Sequence, residues 1–199
     1  MTQRTMIQPA VTPILINGPT LEPVSIVEMK TYLRLDTNDD DGLIAAFITA
    51  SRLLIEASAR RVFISQTWRL VMDSWPANGI IRVPFAPLIQ VSAARVYNAS
   101  GMASIVNTTS LEANTLSDPP TVMIVGPVSV AGRARAGVEV DVVCGYGPLM
   151  GNIPEPLRQA IRLLVARWYE NRGDLAHPQA ATLPPEISAL VSPYRRVRL

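Results

Sequence analysis

The chain has 199 residues, of which 48% are hydrophobic and 17% are charged, and its formal net charge is +2. This length is typical of one domain, the weak net charge gives little attraction for nucleic acid, and a single cysteine excludes an internal disulfide. Apolar runs fall short of the roughly 18 residues that a membrane span needs, so we expect neither a membrane span nor a signal peptide. Because charged residues are scarce, we expect other subunits to cover part of the apolar surface.

An extended N-terminal arm is predicted over residues 1–24, because its prolines are incompatible with a helix. The arm includes a predicted short strand at residues 14–16. Ser25 and Glu28 then match the capping box that begins many helices, which predicts a first helix over residues 25–35.

Two longer helices are predicted, over residues 40–60 and 154–171. Aspartates at the start favour the first of them, and prolines are tolerated in the first turn of the other. We expect the apolar stripe of the later helix to pack on the earlier one and form the core. The predicted stripes are Leu43, Phe47, Ala50, Leu54 and Ser58 in one helix, and Leu157, Ile161, Leu164, Val165 and Trp168 in the other.

Between these helices, residues 66–146 form a predicted β insertion of short, mostly antiparallel strands. The clearest strand is 138–143, where valines alternate with Glu139 and Asp141. The predicted fold class is therefore α+β: a small bundle of three main helices with a β insertion between the second and third, and extended terminal arms. Residues 25–173 are expected to be a single domain, followed by a linker and C-terminal docking segment at 174–199.

No motif for catalysis, a cofactor or a metal emerges, so the chain is not expected to be an enzyme. His177 lies beside a proline in the linker without a predicted partner, and Cys144 ends an apolar strand, as a buried thiol would. The acidic segment 36–42 departs from the EF-hand pattern, which favours a helix-capping turn over a calcium site. Residues 145–147 have a G-x-G core without a third glycine, which favours a tight turn.

The C-terminal segment is the predicted docking site. A short helix near residues 186–191 offers an apolar face, and an aromatic residue with arginines follows it. The proposed docking residues are Ile187, Leu190, Val191, Tyr194, Arg195, Arg196, Arg198 and Leu199. A solvated tail remains open as an alternative, as does nucleic-acid contact through this tail and Arg158, Arg162 and Arg167.

The order of these segments resembles the head–tail connector (adaptor) family of tailed bacteriophages, prophages and gene transfer agents. The resemblance is carried by EPVSIVEMKTYLRLD (22–36), DDDGLIAAFITASRLLIEASARRVFISQTWRL (39–70), RVPFAPLIQVSAARVYNASG (82–101) and VDVVCGYGPLMGNIPEPLRQAIRLLVARWYENRG (140–173). Cys144 stands where members of the family often have alanine. The β insertion resembles the longer branch of the family, since the smallest connectors are nearly all helical.

This resemblance implies a virion protein at the head–tail interface, assembled in the bacterial cytoplasm. It implies a homo-oligomeric ring, usually a dodecamer, that binds the portal protein and a neck stopper or tail protein. DNA would pass through the channel of the ring without sequence-specific binding, and no membrane, cofactor or catalysis is implied. Connector C-termini commonly insert into the portal. Two alternatives stay open: another neck component such as a stopper or tail terminator, and a nucleic-acid-binding module.

Overall fold

The computed structural model describes residues 10–172 and 183–195. It shows an α+β fold, as predicted. Chain contacts divide the protein into two compact units. The first unit, here called the sheet unit, contains residues up to Gly18 together with Ser65–Gly145, and the second, the helical unit, contains Pro19–Ile64 together with residues from Tyr146 onward.

The sheet unit contains two antiparallel sheets. The larger has the strand order β1-β2-β8-β4-β5, and the smaller has the order β3-β7-β6. The strands are β1 Thr12–Asn17, β2 Gln66–Met72, β3 Ile80–Arg82, β4 Leu88–Tyr97, β5 Ala103–Val106, β6 Leu111–Asn114, β7 Thr121–Ile124 and β8 Val138–Cys144. The predicted strand in the N-terminal arm is confirmed as β1, which pairs with β2 at the edge of the larger sheet.

The central strand β8 confirms the half-buried alternation predicted for residues 138–143. Val138, Val140 and Val142 are fully buried on one face of the sheet. Since successive side chains of a strand point to opposite faces, Glu139 and Asp141 lie on the other face. The valine face supplies the core of this unit.

The helical unit confirms the three predicted main helices within two residues at each end. They are α1 Ile26–Leu33, α2 Asp41–Ala59 and α3 Glu155–Glu170, and a shorter α4 spans Pro185–Val191. The Ser25 Oγ accepts a hydrogen bond of 3.1 Å from the Glu28 backbone N–H, so half of the predicted capping box is present.

The buried face of α2 was predicted wrongly. Its core positions are Ile44, Ile48, Ser51, Arg52, Ile55 and Ala59, one position beyond most of the predicted ones. Ala50 is exposed and Leu43 is 36% exposed, while Phe47 and Leu54 are only partly buried. The error has a physical cause: α2 is apolar around most of its circumference, so hydrophobic spacing alone does not select one face.

The apolar stripe of α3 was predicted correctly. Leu157, Ile161, Leu164 and Val165 are at most 2% exposed. Trp168 lies partly buried at the end of this stripe and makes an edge-on contact with Phe47 of α2, with 5.8 Å between ring centroids. The predicted packing of α3 on α2 is therefore present, although it uses the isoleucine face of α2. The division into an arm at 1–24, one domain at 25–173 and a docking segment at 174–199 stays a prediction, because contact-defined units do not show which parts fold independently.

Candidate interaction surfaces

The residues considered for chemistry are placed where structure accounts for them. Cys144 is fully buried, and burial raises the pKa of its thiol to about 12, which keeps it protonated and unreactive at neutral pH. His177 lies outside the described residues. Within residues 10–172 and 183–195, no group of three or more His, Cys, Asp or Glu side chains could hold a metal ion.

The acidic turn before α2 connects helices of the helical unit. Asp41 forms an ion pair of 2.9 Å with the Lys30 Nζ of α1. Asp40 accepts hydrogen bonds from the Tyr169 hydroxyl and from Arg172 at the end of α3. Asp40 is the N-cap residue of α2, but its side chain makes no capping bond. These carboxylates therefore connect α2 to α1 and α3.

The G-x-G segment after β8 has the backbone of a turn. Gly145 and Gly147 have φ angles of +138° and +152°, within the region that favours glycine. A Cβ at Gly147 would overlap the Asn152 side chain, so a larger residue does not fit there. The sequence-based interpretation as a tight turn agrees with this geometry.

Arginines that could have bound phosphates are occupied by carboxylates of their own unit. Arg158 donates to Glu28 at 2.8 Å and to Glu155 at 2.9 Å. Arg162 donates to the same two carboxylates. Burial opposes its charge, but hydrogen bonds to Glu155 and Glu28 outweigh that effect and raise the pKa of Arg162. Arg167 is exposed and pairs with Glu186 at 3.3 Å. Arg158 and Arg162 therefore serve to hold α1 against α3.

The predicted docking residues separate into a buried and an accessible group. Ile187 and Val191 are at most 1% exposed and belong to the core of the helical unit, and Leu190 packs against that core. The Tyr194 carbonyl accepts a hydrogen bond of 2.9 Å from Arg61, and Arg195 donates to the Ser58 Oγ at 2.8 Å. Arg196, Arg198 and Leu199 lie outside the described residues.

This placement changes what each docking residue can do. A side chain at most 1% exposed cannot contact a partner unless α4 leaves the core, so Ile187 and Val191 stabilise the fold. Tyr194 and the exposed Arg195 lie where a partner can reach them. The docking role of the segment stays a prediction, carried by these two residues.

One face of the larger sheet carries an ion-pair cluster that the sequence analysis did not predict. Arg69 holds Asp141 through two hydrogen bonds of 2.7 and 3.0 Å, and Arg95 donates to the same carboxylate at 2.9 Å. Burial alone would raise the pKa of Asp141, but these hydrogen bonds lower it below its ordinary value. The alternation of Glu139 and Asp141 in β8 was the available signal, but the arginines come from other strands, and only the strand register identifies them.

Two exposed apolar surfaces were also not predicted. The outer face of α2 consists of exposed residues at spacings of three and four, namely Leu43, Ala46, Ala50, Leu53 and Ala57. In β1, every residue is exposed, including Ile14, Leu15 and Ile16 at 41–47%. By length and composition alone, α2 is one helix apolar enough to cross a membrane, but its isoleucines contribute to the core of the helical unit.

Comparison with known structures gives a consistent class. The chain is similar to a component of the neck of an empty gene transfer agent (GTA) particle determined with C6 symmetry, with a TM-score of 0.79 and 26% identity over 94% of this chain and 97% of that one. A chain of the native GTA virion matches with a TM-score of 0.76, 26% identity and the same coverages. A chain of the native GTA neck, determined with C12 symmetry, matches with a TM-score of 0.73 and 26% identity over 96% and 97%.

No family model and no curated protein sequence matches the chain. The fold and the structural matches support a class, that of structural neck components of virions and GTA particles. Within that class, the particular component is decided by function, which is argued next.

Proposed function

We propose that the protein is a head–tail adaptor: a non-enzymatic subunit of a ring that sits below the portal and joins the DNA-filled head to the neck and tail. The observation that carries this proposal is the match to GTA neck components over 94–96% of this chain and 97% of theirs. A match along nearly the whole of both chains is expected when two proteins have the same structural role. The particle containing the adaptor would be assembled in the bacterial cytoplasm.

Symmetry supports the ring. The similar neck structures were determined with C6 and C12 symmetry, which is compatible with a dodecamer. A closed ring uses head-to-tail contacts in which each copy offers two different surfaces to its neighbours. The ring would bind the portal on one side and a neck stopper or tail protein on the other. DNA would then pass through its channel without sequence-specific contacts.

The helical unit favours an adaptor over the second candidate, a stopper or tail terminator. Those neck components are typically β-dominated, whereas here four α-helices build a unit with a core of its own. The two antiparallel sheets are the observation in favour of the alternative. A nucleic-acid-binding module is less well supported, because Arg158 and Arg162 are paired with Glu28 and Glu155.

Binding to the portal tests the proposal. The purified protein is mixed with portal rings from the same genome and analysed by sedimentation and negative-stain microscopy. We expect the isolated protein to be monomeric or a mixture of small species, and rings to form when the portal fixes neighbouring copies and raises their effective concentration. Failure to bind the portal, together with binding to the tube of the tail, would support a tail terminator and contradict the adaptor.

A further inference from the structure

The helix α2 has an inverted distribution of charge and apolar side chains. Its only charged residues after Asp41 are Arg52 and Glu56, and both turn inward: their side chains are 7% and 11% exposed and form an ion pair of 2.9 Å. Arg52 also binds Glu22 at 2.7 Å. The outer face meanwhile carries leucine and alanine. A helix that faces water has the opposite arrangement, with charges outside, so this outer face is suited to contact with another apolar surface.

We propose that the outer face of α2 (Leu43, Ala46, Ala50, Leu53 and Ala57) docks on the exposed strand β1 of a neighbouring copy of this chain. The proposal rests on the proposed function in one respect: a ring places each copy beside two others. Both surfaces are neutral, since neither the five face positions nor residues 12–17 include a charged side chain. A charged occupant such as nucleic acid therefore finds no counter-charge on either surface.

The two surfaces also match in size. The face from Leu43 to Ala57 extends about 21 Å at 1.5 Å per residue of helix. The six residues of β1 extend about 20 Å at 3.3 Å per residue of strand. Small side chains at three of the five helix positions allow a close approach of the neighbour. Within the described residues, β1 also contains the one run of three consecutive large apolar residues that are all exposed.

Features of β1 favour side-chain contact over extension of the sheet. Pro13 lacks a backbone N–H donor, and the pairing with β2 is irregular between Leu15 and Asn17. Both features are typical of edge strands that are protected against adding a further strand. A helix laid against the side chains of β1 needs no backbone hydrogen bonds, so the α2 face is compatible with such an edge.

The contact area explains why the joint would be weak in isolation. A strip about 20 Å long and one helix wide is well below the roughly 800 Å² per partner that a stable, specific interface buries. A single contact would therefore dissociate readily, and only closure of a ring, or a template, would make the assembly durable. This agrees with the expectation that the isolated protein remains monomeric.

Disulfide trapping between differently labelled copies tests the contact. Chains carrying Ala50→Cys and chains carrying Leu15→Cys are mixed at high concentration under mild oxidation, and hetero- and homodisulfides are separated by mass. The native Cys144 is fully buried and does not interfere. Mixtures of each variant with Leu116→Cys are the matched controls, because Leu116 is 97% exposed and lies outside both surfaces.

We expect the Ala50–Leu15 heterodisulfide to form about tenfold faster than either control pair, because docking raises the local concentration of the two thiols. Equal rates in all mixtures would overturn the contact. Preferential homodisulfides of Ala50→Cys would also overturn it, since they indicate a two-fold contact between α2 helices. Trapping reads contact between copies without the portal, so a negative result here together with portal binding would leave the adaptor function standing.

Discussion

The two long helices of the helical unit, α2 and α3, differ in how their outer sides are used. The polar side of α3 is occupied within the subunit, since Arg158 and Arg162 bind Glu28 and Glu155. The outer side of α2 is apolar and exposed, while its charged residues are turned inward. The comparison teaches that α3 serves the fold of one subunit, whereas α2 serves the fold with one face and, by our proposal, a neighbour with the other.

The largest expected effect comes from the buried stripe of α3. Leu164 is 2% exposed within the core, so Leu164→Ala removes packed methyl groups and leaves a cavity, at a cost of about 2–5 kcal/mol. The matched control is Leu53→Ala on the outer face of α2, where the side chain is 54% exposed. Denaturant unfolding of both variants measures the difference. A loss below about 0.5 kcal/mol for Leu164→Ala would place it at the surface, where substitutions usually have effects of that size.

The ion-pair cluster of the sheet unit gives the next effect and a pH dependence. Asp141→Asn weakens hydrogen bonds from Arg69 and Arg95, and we expect a loss of about 2 kcal/mol at pH 7, since hydrogen bonds to charged groups contribute about 1.5–3 kcal/mol. The folded-state pKa of Asp141 lies below its ordinary value of 3.8. Its stabilising contribution is therefore complete above that value and is lost as the pH falls through the lower folded-state pKa.

Unfolding at a series of pH values checks this prediction. The difference between wild type and Asp141→Asn is expected to be constant near neutrality and to shrink in strong acid. A difference that grows as the pH falls below 4 would contradict the assigned direction of the pKa shift. Ser92→Ala is a suitable control, because Ser92 bonds only the backbone carbonyl of Asp141 and leaves the carboxylate paired.

A smaller effect on stability is expected from truncation of the C-terminal segment. Deleting residues 193–199 removes the bond from Arg61 to the Tyr194 carbonyl and some core packing, which costs about 1 kcal/mol. If Tyr194 and Arg195 form the docking surface, the truncated protein keeps its fold but yields heads without tails. Charge reversal at Arg195 sharpens the test, since attachment that depends on this charge weakens as salt rises. Tailed, functional particles from the truncated protein would place the docking surface elsewhere.

The smallest effects are expected for the residues once considered for chemistry. Cys144→Ala and His177→Ala are predicted to leave particle assembly and gene delivery unchanged, because the protein acts as a structural subunit. Counting infectious or DNA-delivering particles measures this directly. Loss of delivery by a normally folded His177→Ala protein would contradict a non-enzymatic role.

The parts of the fold that could be predicted from sequence are those in which polar and apolar positions alternate clearly. The stripe of α3 and the valines of β8 were predicted because each has one polar side. The buried face of α2 could not be selected, since leucine, isoleucine and alanine occur around the helix. Ile187 and Val191 looked like a docking surface because the sequence of a short helix does not show what packs against it.

The candidate surfaces depended on information that spacing does not contain. The partners of Asp141 come from strands distant in the chain, so the cluster becomes visible only with the strand register. The exposure of β1 follows from its position at the edge of the larger sheet. Composition did anticipate an uncovered apolar surface, but only the structure locates it on α2 and β1.

Cryo-electron microscopy of the neck of the assembled particle tests the central claim most directly. We predict that a ring of this protein, with twelve copies as the expected number, lies directly against the portal and surrounds the DNA channel. Density for the protein elsewhere in the particle, or a ring separated from the portal by another protein, would contradict the account.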